Sequence, residues 1–257
     1  MRASGMVSCL LVPLALAACA PVERRGDRRS ILSTIGKDYG NFYSRTGVRN
    51  LAIGFAVAAP MANTKADSDI EEWYIERMHS EKTDGASRIA ELPGVGTVTI
   101  PACLLGCAAG RIGASSTLGE WGERSLRAYA VGGPFTTASQ YLTGGGRPRE
   151  GDSSRWRPLH DNAGVSGHAF MGAVPFLTAA KMTDSLPLKT TFYLGSTACA
   201  WARVDRRDHY ISQAFLGWWL ALMAANSIDK TDADRQKMQV VPMVDDDFAG
   251  VGIHLTF

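Results

Sequence analysis

An all-α fold is what the order of residues predicts, and three observations predict it. Six stretches of helical length are rich in apolar residues, at 50–62, 94–112, 118–142, 166–182, 186–203 and 210–227. Glycine and proline cluster at 144–148 and 158–167, marking loops. Alternating character, the mark of a half-buried strand, is confined to the tail around Val251-Gly-Ile-His-Leu-Thr-Phe257. With 46% apolar and 20% charged residues over 257 positions, one large domain around one core is the simplest arrangement.

The N-terminus reads as processing signal rather than fold. Arg2 supplies a short positive start, residues 6–18 are apolar with one proline at Pro13, and the run ends in Leu16-Ala17-Ala18-Cys19. That pattern is a bacterial export signal, and its last four residues resemble the lipobox of bacterial lipoproteins, where the chain is cut before the cysteine and the cysteine is acylated. The resemblance implies a signal at 1–18, lipidation of Cys19 and a tether over 19–47. It also implies a protein on the periplasmic side of the bacterial envelope, held by acyl chains rather than a spanning helix. Ala20 after the cysteine, where aspartate would retain the protein in the inner membrane, implies the outer membrane by the enteric rule. Residues 22–29 are a charged spacer.

Net charge is +2 for the whole chain and becomes +1 once Arg2 leaves with the signal, 26 basic residues against 25 acidic. Nothing in that balance points to nucleic acid, so any basic function must be local. Cys103, Cys107 and Cys199 remain after processing. The first two stand at i,i+4, which on a helix separates the Cβ atoms by about 5–6 Å, too far for a relaxed bridge. Buried free thiols are expected, and no Cys-x-x-Cys or His/Cys grouping suggests a metal.

The remaining elements follow in order. Residues 50–62 form an apolar helix and 67–82 a charged amphipathic one. Residues 94–112 are apolar and broken by Pro101, and 118–142 open on a charged turn. Residues 166–182 and 210–227 are the clearest helices, with 186–203 between them. The apolar runs mostly fall short of the roughly 20 residues that cross a membrane, and they carry Gly, Ser, Thr and Gln. A helical bundle tethered by lipid, in preference to one embedded in the membrane, is therefore expected at 48–230, with 231–257 as a tail holding a short strand or hairpin.

Three polar clusters interrupt this apolar sequence: Gln140-Tyr-Leu-Thr-Gly-Gly-Gly-Arg147-Pro148, Val165-Ser166-Gly167-His168, and Ala202-Arg203 with His209. Taken singly, Arg147 reads as a solvated loop arginine and His168 as a capped or core histidine. Together they supply guanidinium, which binds phosphate oxygens bidentately, the N-terminus of an apolar helix, which favours anions, and imidazole, which can attack phosphorus.

In order and spacing these clusters resemble the type 2 phosphatidic acid phosphatase superfamily, which includes bacterial acid phosphatases and vanadium haloperoxidases. The family pattern is Lys-x6-Arg-Pro, Pro-Ser-Gly-His and Ser-Arg-x5-His-x3-Asp, and the resemblance covers about residues 125–225. It implies His209 as nucleophile and His168 as general acid. Arg147 and Arg203 would clamp the phosphoryl oxygens, and Ser166 and the Gly167 amide would complete the cradle. It implies no metal and no other cofactor, and a phosphorylated, lipid-type substrate.

Four residues depart from the pattern. Gln140 stands where the family has Lys, removing a positive charge, and Gln213 stands where it has the Asp that orients the nucleophile. Val165 and Ala202 replace Pro and Ser. Asp205, four residues before His209, would share its side if one helix ran through both; otherwise Asp205 and Asp208 are solvated charges. Two other readings follow: a catalytically silent envelope binding or scaffold protein, motivated by Gln140 and Gln213, and a haloperoxidase taking vanadate, which Gln140 disfavours.

Overall fold

The computed structural model describes residues 31–245 and 248–255. The export signal, Cys19 and residues 22–29 lie outside the described residues. Nine α-helices are described: α1 Ile31–Phe42, α2 Arg45–Asn63, α3 Ala66–Arg77, α4 Glu81–Ala90, α5 Gly96–Arg111, α6 Ser116–Thr143, α7 Gly167–Lys181, α8 Leu186–Asp205 and α9 Ile211–Lys237. Short 3₁₀ turns at Leu92–Gly94 and Pro148–Glu150 link α4 to α5 and follow α6. The backbone ends in an antiparallel hairpin, β1 Met238–Asp245 against β2 Phe248–Leu255, with Pro242 opposite Val251.

Serine side chains cap the starts of four described helices. Ser44, Ser115 and Ser166 accept from the backbone N–H three residues on, each at 3.2 Å, which satisfies a first-turn donor. Ser80 and Thr83 form a reciprocal capping box. That box divides the charged stretch 67–82, expected as one helix, into α3 and α4.

Pro101 was expected to break 94–112, yet α5 runs through it and the break falls at the Leu92–Gly94 turn. Thr97 and Pro101 are both exposed, so water can take the carbonyl that proline leaves unbonded.

Helix α9 is the axis of the bundle and packs on α1, α2, α6, α7 and α8. Leu216, Leu220 and Ala224 of α9 are fully buried with Leu126, Val174 and Leu177. At Gly217 a Cβ would run into the Ser166 carbonyl oxygen, so α9 touches the start of α7 backbone to backbone.

The expected tether is partly core. Asp38 and Phe42 of α1 are buried. Arg127, 1% exposed, donates from Nε and Nη2 to the two Asp38 carboxylate oxygens, both at 2.8 Å, and from Nη1 to Asp232 at 2.9 Å. This pairing fastens α1 and α9 to α6, so among the described residues the helical body takes in Ile31–Phe42, ahead of the expected start at 48, and its last helix runs to Lys237 rather than 230. The amphipathic α1 was hidden by its proximity to the charged spacer.

Cys103, Cys107 and Cys199 are buried free thiols. Among the described residues no single helix is long and apolar enough to cross a membrane, and one bent pair, Glu81–Gly94 with Gly96–Arg111 at 53°, passes by length and composition.

Candidate functional site

The three polar clusters meet at one end of the bundle. The first leaves the C-terminus of α6, where Gly144 takes a left-handed φ of 61° that glycine adopts without strain. A loop then carries Arg147 and closes on the third cluster through Arg149 N–H, which donates to the Arg207 carbonyl at 3.0 Å. The second is the first turn of α7, capped by Ser166. The third is a tight turn between α8 and α9. There the N–H groups of Asp208 and His209 both donate to the Arg203 carbonyl, at 3.0 and 3.1 Å, and Arg207 has a φ of 55°.

Gln213 joins all three. Its Nε2 donates to the Gly146 carbonyl at 2.8 Å, and its backbone carbonyl accepts from Ser166 N–H at 2.9 Å. Its Oε1 accepts from Tyr210 N–H at 3.1 Å and lies 3.0 Å from His209 Nδ1. This network assigns the amide orientation, since oxygen faces the N–H groups and nitrogen faces a carbonyl.

The Ala163 carbonyl lies 3.2 Å from the same Nδ1. Both neighbours of Nδ1 are acceptors, so Nδ1 carries the hydrogen and the Nε2 lone pair is free. His209 is buried, and its pKa lies well below the ordinary value because of burial, then the charges of Arg147 and Arg203.

His168 feels the same field. Burial, then Arg203, lowers it to about 4, with Asp208 opposing and Arg147 adding. Both imidazoles therefore rest neutral near pH 7, in the field of the two arginines. Gln140 reaches this place too: its Nε2 donates to the Val165 carbonyl at 3.1 Å and lies 2.9 Å from where a Gly167 Cβ would stand. The Ser166 hydroxyl caps α7 by accepting from Ala169 N–H, which leaves its O–H free to donate.

Arg203 is 7% exposed and clamped by two carboxylates. Nη1 donates to Glu91 at 2.9 Å, Nη2 lies 2.8 Å from Asp208, and the buried Nε has no hydrogen-bond partner in the described structure. Asp208 also pairs with Arg149. A buried donor without a partner is costly, and here it belongs to a cation whose charge bears on both histidines.

Asp205 does not serve His209. Helix α8 ends at Asp205 and the turn separates the two residues. Its carboxylate instead accepts from Tyr74 OH at 3.0 Å and lies 3.3 Å from His79 Nδ1. Asp205 and Asp208 are both buried, so the solvated reading fails as well. His160 is an exposed loop residue. Sequence reasoning missed Glu91, whose signal was slight: a lone acid before Leu-Pro-Gly, 112 residues from the arginine it holds.

No family model, curated protein or solved structure matches the chain. Among the described residues no group of three or more His, Cys, Asp or Glu side chains is arranged to hold a metal ion.

Proposed function

We propose that the protein is a phosphatase of the type 2 phosphatidic acid phosphatase kind, hydrolysing phosphomonoesters or pyrophosphates, with lipid phosphates as the substrate class. The observation that carries this reading is the fixed tautomer of His209: Nδ1 donates to two oxygens, and Nε2 keeps its lone pair in the field of Arg147 and Arg203.

Nε2 attacks phosphorus while the bond to the leaving oxygen breaks, and that oxygen takes a proton from His168. Water then attacks the phosphohistidine, its proton passes to His168, and the nitrogen–phosphorus bond breaks. The arginines hold the phosphoryl oxygens as charge develops on them. The phosphate anion opposes the arginine field, so both imidazoles regain basicity on binding. Arg203 Nε–H is a donor ready for a phosphoryl oxygen. Lipid substrates are inferred from the expected Cys19 anchor, which also motivates the envelope location.

Phosphate release from phosphatidate, undecaprenyl pyrophosphate and p-nitrophenyl phosphate tests the reading against His209→Ala. Equal rates for wild type and variant on every substrate sink it.

One observation favours the silent binding or scaffold reading: both terminal nitrogens of Arg203 already face carboxylates. Vanadate would need the same cradle, and a neutral Gln140 with those carboxylates weakens the hold on it. Bromide oxidation with vanadate and peroxide tests that alternative.

A further inference from the structure

The charged groups around Arg203 form one ion-paired cluster, and its balance is informative. Arg203 faces Glu91 and Asp208 at 2.9 and 2.8 Å. Arg206 Nε lies 3.2 Å from Glu91 and 3.8 Å from Asp208. Arg149 pairs with Asp208, and Arg147 and Arg149 each lie 3.9 Å from Glu150. The four cations Arg147, Arg149, Arg203 and Arg206 thus meet three carboxylates, Glu91, Glu150 and Asp208, a surplus of one positive charge. Gln140, beside the Gly167 turn, adds none.

Glu91 is not an incidental surface partner. It is 20% exposed on its side chain and sits at the C-terminus of α4, just before the 3₁₀ turn. That turn is wedged against the site, because a Cβ at Gly94 would lie 2.7 Å from the His168 carbonyl oxygen and 2.5 Å from Cys199 Sγ. That packing sets the Glu91 backbone beside the site, and the pairs to Arg203 and Arg206 hold its carboxylate there.

We infer that Glu91 sets the charge specificity of the cradle, making it select a singly charged phosphoryl group: a phosphodiester or a monoprotonated monoester. The inference rests on the proposed anion site. A doubly charged monoester brings one negative charge more than the cluster's surplus neutralises, beside two fixed carboxylates, whereas a singly charged group matches it.

Calorimetric titration at about pH 8, where methyl phosphate carries two charges and dimethyl phosphate one, tests this directly. The wild-type protein is expected to bind dimethyl phosphate at least as tightly as methyl phosphate. Glu91→Gln should move the affinity ratio about tenfold toward methyl phosphate, and Arg206→Gln, which takes a cation off Glu91, should move it the other way. Loss of packing cannot produce opposite shifts from the two variants.

A wild-type preference of tenfold or more for methyl phosphate overturns the inference, as does a ratio that neither variant changes. If such a protein still releases phosphate through His209, the phosphatase reading survives alone. Binding of neither anion removes the anion site and both readings with it. Turnover of bis-p-nitrophenyl phosphate, set against p-nitrophenyl phosphate at acid pH, shows which singly charged form is used.

Discussion

The Oε1 atom of Gln213 lies 3.0 Å from Nδ1 of His209, while the other end of the same amide donates to the Gly146 carbonyl at 2.8 Å. A carboxylate at this position could hold the imidazole but would set an oxygen against the Gly146 oxygen. Glutamine satisfies both neighbours and stabilises an imidazolium less than a carboxylate does.

Gln213→Glu is accordingly expected to raise the His209 pKa by supplying a negative partner, and to lower stability by about 1–3 kcal/mol through the lost donor to Gly146. Nitrogen-15 NMR of the imidazole and urea unfolding read the two effects separately. An unchanged His209 titration counts against the tautomer argument.

The depressed histidines make stability pH-dependent with a definite sign. An unfolded His168 takes up a proton near its ordinary 6.5, but the folded one resists until about 4. Between those values the unfolded state binds more protons, so stability is full above pH 6.5 and is lost as pH falls toward 4. His209, also lowered, acts in the same direction. Urea midpoints at pH 7.5 and 4.5 should differ less in His168→Asn than in wild type.

If His168 protonates the leaving oxygen, His168→Asn should slow an alkyl phosphate about 10²-fold and p-nitrophenyl phosphate far less, because p-nitrophenolate leaves without a proton. Equal losses on both substrates would give His168 a binding role instead.

Gly217→Ala tests the backbone contact under the site. The added methyl meets the Ser166 carbonyl oxygen and lies 3.0 Å from the Ala169 Cβ. A cost of about 1–3 kcal/mol is expected from overpacking. Turnover measured well below the melting point should also fall, as the Ser166–His168 turn is displaced. Full turnover would mean that α9 yields instead of the turn.

Arg127→Leu leaves Asp38 buried without its guanidinium and should cost about 3–5 kcal/mol in urea unfolding. Replacing Asp38 with Leu as well should recover most of that loss. An equal or greater loss in the double variant would show that shape rather than charge ties α1 to α6.

The parts of this fold legible in sequence were those set within one helix or one turn. The apolar runs of α6 to α9, the serine at the head of α7 and the glycines after α6 act over three to four residues. The order and spacing of the three clusters could therefore be read along the chain. The split between α3 and α4 was as local, since Ser80 and Thr83 cap each other three residues apart, yet it was hidden inside a charged run.

By itself, then, the sequence determined a helical chain in which arginines, histidines and a serine-headed helix recur in a set order and spacing. Only the tertiary structure decided what surrounds them: Glu91 on Arg203, Asp205 turned toward Tyr74 and His79, and α1 fastened through Asp38 to Arg127. These are pairings across about 90 to 130 positions. Long-range ion pairs form where packing brings backbones together, and charge alone does not name the partner.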